Sequence, residues 1–284
     1  MRRQKIDKPV VSVIITTRNE EKNIGACIKS ILKQTFPQKK IEMIVVDNFS
    51  TDKTTSIVKK LSQKTSCISL YSFEPERSAQ RNFGAQKAKG TYYMYLDADM
   101  TLSPNVITEC VSKMKTTSSL AALYVPEIIL GKGFWSKVRR FERSFYNATV
   151  IDCVRFLLLK DFLSVGGFDE TMSGPEDWDL DKKIRLKGKV DIINAPLYHN
   201  EVNFNVLKYI DKKMYYVKSL KKYTDKWGKN DPDIQKQLGF FYRYIQVFIE
   251  NGKWKKLVTH PLLTAGTILL KILVGMGYLK TKND

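Results

Sequence analysis

The stretch TYYMYLDADM, Thr91 to Met100, decides the reading of this 284-residue chain. An aromatic and aliphatic run stops at two carboxylates, Asp97 and Asp99, one residue apart. Burying a carboxylate without a partner is costly. Either the strand ends in water, or the two acids together hold something cationic.

Upstream, the same rhythm recurs. VVSVIITT (Val10–Thr17) and IEMIVVD (Ile41–Asp47) are short β-branched runs, as expected of strands covered on both faces. CISLYSF is a third, weaker strand. Between them, EEKNIGACIKSILKQ places Ile24, Cys27, Ile28, Ile31 and Leu32 at helical spacing. STDKTTSIVKKLSQ opens on a Ser/Thr/Asp cluster suited to a helix start, and RSAQRNFGAQKAKG predicts a helix ended by Gly90. This βαβαβαβ order predicts an α/β fold with a mostly parallel sheet flanked by helices. Ligands of such sheets bind at the carboxyl ends of the strands. Asp47, Asp97 and the TTRNE segment all sit at those ends.

Downstream come a helix from Asn105, a strand at SLAALYVPE and an apolar, basic stretch GFWSKVRRFERSFYN. CVRFLLLK and KVDIINA read as strands, with GGFDETMSGPEDWDLDKKIRLKG between them as a loop entering a helix. The acids Glu176, Asp177, Asp179 and Asp181 open that helix. Acids in a first turn complement the helix dipole, and Asp179 and Asp181 need do no more. Gly174-Pro175 and Trp178 suggest a shaped loop, where a carboxylate could take a proton from a hydroxyl nucleophile.

The chain carries 48 Lys/Arg against 29 Asp/Glu, a net charge of +19, which predicts an anionic partner: nucleic acid, a phosphorylated small molecule or a membrane surface. Cys27, Cys67, Cys110 and Cys153 show no zinc spacing and read as buried free thiols of a reducing compartment. MRRQKIDKPV lacks an apolar signal-peptide core, so the expectation is cytoplasmic. Residues 201–284 turn helical and basic, with 16 Lys/Arg against 7 Asp/Glu. Their last part, LVTHPLLTAGTILLKILVGMGYLK, is near the roughly 20-residue length of a membrane span. Lys271 and the glycines favour a helix lying at the cytoplasmic membrane face over a span or a packed C-terminal helix.

SVIITTRNE, IVVDNFSTDKT, RSAQRNFGAQKAKGTYYMYLDADM and GGFDETMSGPEDWDL together resemble family 2 glycosyltransferases, in order and spacing. The resemblance covers Val10 to His199. It implies a GT-A catalytic domain over residues 1–203, with 204–284 as a basic, apolar helical extension. It implies an inverting enzyme using a nucleotide-sugar donor with Mn²⁺ or Mg²⁺. Thr16, Arg18, Glu20 and Asp47 would hold base and ribose, and Arg81 would lie near the diphosphate. Asp97 and Asp99 match the DxD motif, Asp97 near ribose and metal and Asp99 as direct ligand. His199, after the last strand, would be a third metal ligand. Asp177 matches the general base, with Glu176 and Trp178 on the acceptor side and Arg155 on a strand leading there. Asn48 and Phe49 stand where the family has a second acid and a glycine, and Thr16 and Arg18 where Pro and Tyr are common. The base therefore stays open between UDP, GDP and TDP. The acceptor would be a saccharide or a lipid-linked sugar or phosphate, with no nucleic acid. Two other readings remain: nucleotidyl transfer, which lacks its Gly-rich phosphate loop, and a basic nucleic-acid-binding protein, for which no module is visible.

Overall fold

The computed structural model describes residues 8–74 and 76–283, with side chains to Tyr278. The elements run β1 (Val11–Thr17), α1 (Ile24–Leu32), β2 (Ile41–Asp47), α2 (Thr54–Ser62), β3 (Ile68–Ser72), α3 (Arg77–Lys87), β4 (Tyr92–Asp97), β5 (Met100–Leu102), α4 (Val106–Thr116) and β6 (Leu120–Tyr124). They continue with β7 (Glu127–Leu130), α5 (Phe134–Arg143), β8 (Phe156–Leu158), α6 (Leu159–Ser164), α7 (Glu176–Arg185), β9 (Lys189–Ile192) and β10 (Leu197–Asn200). The rest is helical: α8 (Val206–Val217), α9 (Leu220–Trp227), α10 (Pro232–Leu238), α11 (Val247–Ile249), α12 (Trp254–Thr259) and α13 (Pro261–Asn283).

The chain forms two compact units that alternate along the sequence. One takes the residues up to Pro126, then Val154–Glu170 and Leu180–His199; the other takes Glu127–Cys153, Thr171–Asp179 and Asn200 onward.

The first unit is built on a seven-stranded sheet of order β3-β2-β1-β4-β8-β6-β9. β1 to β4 are mutually parallel where they pair, and β8 runs antiparallel to β4 and β6. All seven residues of β1 are buried, as expected of its nearly continuous apolar run. Successive residues feed opposite cores: Val13, Ile15, Met43, Val45 and Met94 on one face, Ile14, Ile44, Val46, Tyr93 and Tyr95 on the other.

Two local expectations change. The start of α2 is held by Asp52, whose Oδ1 accepts the Thr54 amide at 2.9 Å, one residue outside the cap position. Gly90 does not end a helix, since α3 stops at Lys87. A Cβ at Gly90 would lie 2.6 Å from Ser12 Oγ, and its amide donates to that hydroxyl at 2.8 Å. The glycine is there so that the chain can cross closely under β1. Strands β5, β7 and β10, of three or four residues each, are too short to show a period in the sequence.

The second unit surrounds a cluster of Phe141, Phe145, Tyr146, Tyr242, Val247 and Phe248. Its core is also charged. Glu142 is buried, receives Arg139 and accepts from Tyr146 Oη at 2.7 Å and Lys271 Nζ at 3.2 Å. Burial alone would raise the Glu142 carboxyl, but Arg139 and Lys271 hold it well below the carboxylate range. All four cysteines are buried, and among the described residues none is in a disulfide.

Candidate active site

Parallel register assembles the site. Thr17 pairs with Asp47 and Thr16 with Asp97, so the carboxyl ends of β1, β2 and β4 lie side by side. Asp47 is buried and closes its own turn, accepting the Ser50 amide at 2.9 Å and the Ser50 hydroxyl at 2.5 Å. The loop after β1 is tied to this turn. The Asn19 amide donates to Ser50 Oγ at 2.8 Å, and Asn19 Oδ1 accepts the Thr51 amide at 2.8 Å. Glu20 is half-buried beside them, while Arg18 is exposed. Burial raises the Glu20 carboxyl; the Asn23 amide opposes this, and the charges of Asp99 and Asp97 add to it.

At the end of β4 the two aspartates part company. Asp97 accepts from Arg81 at 2.8 Å and from Thr16 Oγ1 at 3.1 Å, with Arg77 at 3.6 Å. Arg77 and Arg81 are four residues apart on α3 and therefore project from one face. Arg81 is fully buried, its guanidinium 4.5 Å from the Tyr95 ring centre and 4.9 Å from that of Phe168. A flat, delocalised cation suits such a slot where a lysine would not. Arg155 lies 5.0 Å over Tyr95, and its charge reaches Asp97. Burial would raise the Asp97 carboxyl, yet Arg81, Arg77 and Arg155 outweigh it and hold the group far down.

Phe168 is fixed by the motif before it. Gly166 and Gly167 adopt φ of 76° and 64°, and the Asn82 side-chain amide grips Phe168 through its carbonyl and its amide, both at 2.9 Å. Only glycine takes that turn without strain.

Asp99 faces the other way. Its Oδ2 lies 3.2 Å from His199 Nε2, because β10 runs antiparallel to β5 and sets His199 opposite Met100. Its Oδ1 is buried and accepts no hydrogen bond among the described residues. A buried carboxylate oxygen without a donor needs an explanation, and a bound cation supplies one. Among the described residues no group of three or more His, Cys, Asp and Glu side chains closes around a metal. Mg²⁺ or Mn²⁺ needs only one or two protein donors when phosphates and water complete its shell. The Asp99–His199 pair fits that partial donor set, whereas Asp97 is committed to arginines.

Glu176, Asp177, Trp178 and Asp179 belong to the second unit. Gly174, at φ 106°, packs so that a Cβ would lie 2.5 Å from Tyr216 Cβ. Glu176 is buried, and Asp177 is partly exposed at the head of α7. Trp178 donates to the Ile151 carbonyl at 3.0 Å and packs with Met172, Tyr223, Ile234 and Trp227. Asp179 is fully buried, accepting from Trp227 Nε1 and pairing with Lys226, each at 2.8 Å. In the first unit, Asp181 accepts the Val154 amide at 3.2 Å and Arg185 Nε at 2.8 Å. Asp179 and Asp181 thus have structural partners stronger than a helix dipole. Arg77, Tyr95 and Phe168 escaped the sequence reading. The i, i+4 spacing of Arg77 and Arg81 was the one signal available for them.

Comparison with known proteins matches residues 12–166 to the model of "Glycosyl transferase family 2". The poly(ribitol-phosphate) beta-N-acetylglucosaminyltransferase TarS of Staphylococcus aureus is 31% identical over 202 residues, covering 66% of this chain and 35% of TarS. A Methanococcus voltae enzyme is 33% identical over 91 residues, 31% of this chain and 28% of that one. It is named as a dolichyl N-acetyl-alpha-D-glucosaminyl phosphate 3-beta-D-2,3-diacetamido-2,3-dideoxy-beta-D-glucuronosyltransferase. Among solved structures, the mannosyltransferase PcManGT of Pyrobaculum calidifontis, in complex with GDP-Man and Mn²⁺, aligns with a TM-score of 0.62 at 19% identity, over 96% of this chain and 80% of that one. That likeness shows the fold. The chain spans about a third of the length of TarS and of the Haloferax volcanii glycosyltransferase AglE, 35% and 36% respectively. With its mostly parallel sheet flanked by helices, the structure has the GT-A fold, and the chain belongs to glycosyl transferase family 2.

Proposed function

We propose that this chain is an inverting, metal-dependent glycosyltransferase that takes a sugar from a nucleotide-sugar donor to a lipid-linked acceptor at a membrane surface. The observation that carries the reading is the buried Asp99 Oδ1, without a hydrogen-bond donor among the described residues, beside His199 and two residues beyond an aspartate paired with arginines. A carboxylate–imidazole pair suited to a cation, next to a cluster of fixed positive charge, suits a nucleoside diphosphate.

The roles divide as follows. Asp99 and His199 would hold Mn²⁺ or Mg²⁺, which when bound neutralises charge on the leaving diphosphate. Asp97 keeps Arg81 and Arg77 oriented toward the same end of β4. Thr16, Arg18, Glu20 and Asp47 face the nucleoside from the β1 and β2 ends. Asp177 accepts the proton of the acceptor hydroxyl as it attacks C1 opposite the leaving group, with Glu176 and Trp178 shaping its loop.

The lipid side of the reading rests on α13, the one helix among the described residues long and apolar enough to cross a membrane. Its amphipathicity is inverted. Its one charged residue before Tyr278, Lys271, is turned inward onto Glu142, with Gly266, Thr267 and Leu270 buried beside it. Leu262, Ala265, Ile268, Leu269, Ile272 and Met276 are exposed at helical spacing. Burying the charge and exposing the apolar stripe favours an apolar medium outside. With one face packed in its own unit, the helix suits lying on a membrane more than crossing it. Lys253, Lys255 and Lys256, just before it, suit the anionic cytoplasmic leaflet.

Calorimetric titration of UDP, GDP and TDP, with and without Mn²⁺, on wild type and Asp99→Ala tests the donor half. Binding of one nucleotide that needs Mn²⁺ and disappears in the variant is expected. Metal-independent binding unchanged by the substitution would remove the assignment.

A further inference from the structure

Phe49 is placed against every preference of an aromatic residue. It adopts φ 45°, a left-handed conformation unfavourable to a bulky side chain. It also leaves 58% of its surface in solvent. Among the described residues its ring stacks on no other ring and meets no cation. The backbone around it is nonetheless pinned, through Asp47, Asn19 and Ser50. The turn is pinned, most of the ring is in solvent, and glycine would fit the backbone better.

Its position gives the ring a use. The groups suited to a diphosphate (Asp99, His199 and the Asp97 arginines) lie at the end of β4. In sheet order β1 and then β2 follow, so the Phe49 turn stands two strand spacings away, about 10 Å. Between them lie Thr16 and the buried acceptors of Asp47, with Glu20 alongside. A nucleoside running from β4 toward β2 would thus carry its sugar hydroxyls past carboxylates and its base onto the β2 turn. A base offers a flat π face, and the loop after β1, with Thr17, Arg18, Asn19 and Glu20, has no aromatic side chain to meet it.

We propose that Phe49 is the stacking platform for the donor nucleobase, held out into solvent by a strained turn for that purpose. The proposal rests on the reading of the β4 end as the diphosphate site.

The test compares wild type, Phe49→Gly and Phe49→Trp. Nucleotide affinity (UDP and GDP with Mn²⁺) is measured beside that of pyrophosphate with Mn²⁺, which has no base. Stacking on an aromatic side chain is worth a factor of about 5 to 150 in affinity. Phe49→Gly should lose that factor for the preferred nucleotide, bind pyrophosphate as wild type does, and melt no lower than wild type. Phe49→Trp should restore nucleotide binding. Undiminished nucleotide binding by Phe49→Gly overturns the proposal and leaves the diphosphate site standing. Equal losses for nucleotide and pyrophosphate, with a lowered melting temperature, make the ring structural instead. A wild type that binds neither ligand removes the diphosphate site, and this proposal with it.

Discussion

Replacing Asp97 by asparagine keeps the shape of the side chain and removes its charge. Arg81 has no exposed surface, so its guanidinium cannot turn to water for compensation. Breaking a buried ion pair from one side costs about 3–5 kcal/mol. The asparagine carbonyl can still accept from Arg81 or Thr16, and Arg77 is a third exposed, so about 3 kcal/mol is expected. For a unit of this size that is a melting-temperature loss of about 6–12 °C at pH 7. The pH dependence is the sharper signature. The Asp97 carboxyl is depressed in the folded state, so above the ordinary aspartate value its pairing contributes in full. Below about pH 4 the unfolded chain takes up the proton first, and the contribution falls by about 1.4 kcal/mol per pH unit. The variant lacks this term. The gap between the two proteins should therefore be widest near neutrality and narrow progressively from pH 4 to pH 3. Glu142, Asp52 and Asp191, also depressed carboxyls, are present in both proteins and cancel. Thermal or urea unfolding followed by circular dichroism at pH 7, 4 and 3 measures this directly. Equal melting at pH 7, or a gap that stays constant into acid, would refute the view of Asp97 as an arginine anchor.

Asp99→Asn should behave in the opposite sense: stability unchanged or slightly raised, because a buried carboxylate oxygen without a donor is lost, but Mn²⁺-dependent nucleotide binding abolished by calorimetry. Gly84→Ala would place a Cβ 2.6 Å from Ile14 Cγ2, driving α3 off the sheet. It should cost about 1–3 kcal/mol in unfolding experiments and weaken nucleotide binding, since α3 carries Arg77 and Arg81. The triple change Leu269→Gln, Ile272→Gln, Met276→Gln removes three roughly half-exposed apolar side chains. About 1 kcal/mol each predicts about 100-fold weaker sedimentation with anionic vesicles, with melting temperature and nucleotide affinity unaltered.

The sheet was readable because burial on both faces leaves its strands no choice of residue: the apolar runs of β1, β2 and β4 could hardly be anything else. The acids that end them were readable for the converse reason. A carboxylate after a fully buried strand is conspicuous. What one strand cannot reveal is which partner each acid receives. Asp97 and Asp99 look equivalent in the string DAD, and only the family resemblance sets Asp97 near ribose and metal and Asp99 on the metal directly. They differ because Asp97 still belongs to β4, where its neighbours are Thr16 on β1 and the arginines of α3, while Asp99 has turned the corner toward β5 and His199. That distinction depends on β10 pairing with β5, a contact made by strands of three and four residues and separated by about a hundred positions. Strands this short carry almost no periodic signal, so the pairing was invisible. Phe49 is the reverse case. Its departure from glycine was plain in the sequence, but a positive φ can be read only from a backbone. Only then does the substitution become an energetic anomaly that a stacked ligand would resolve.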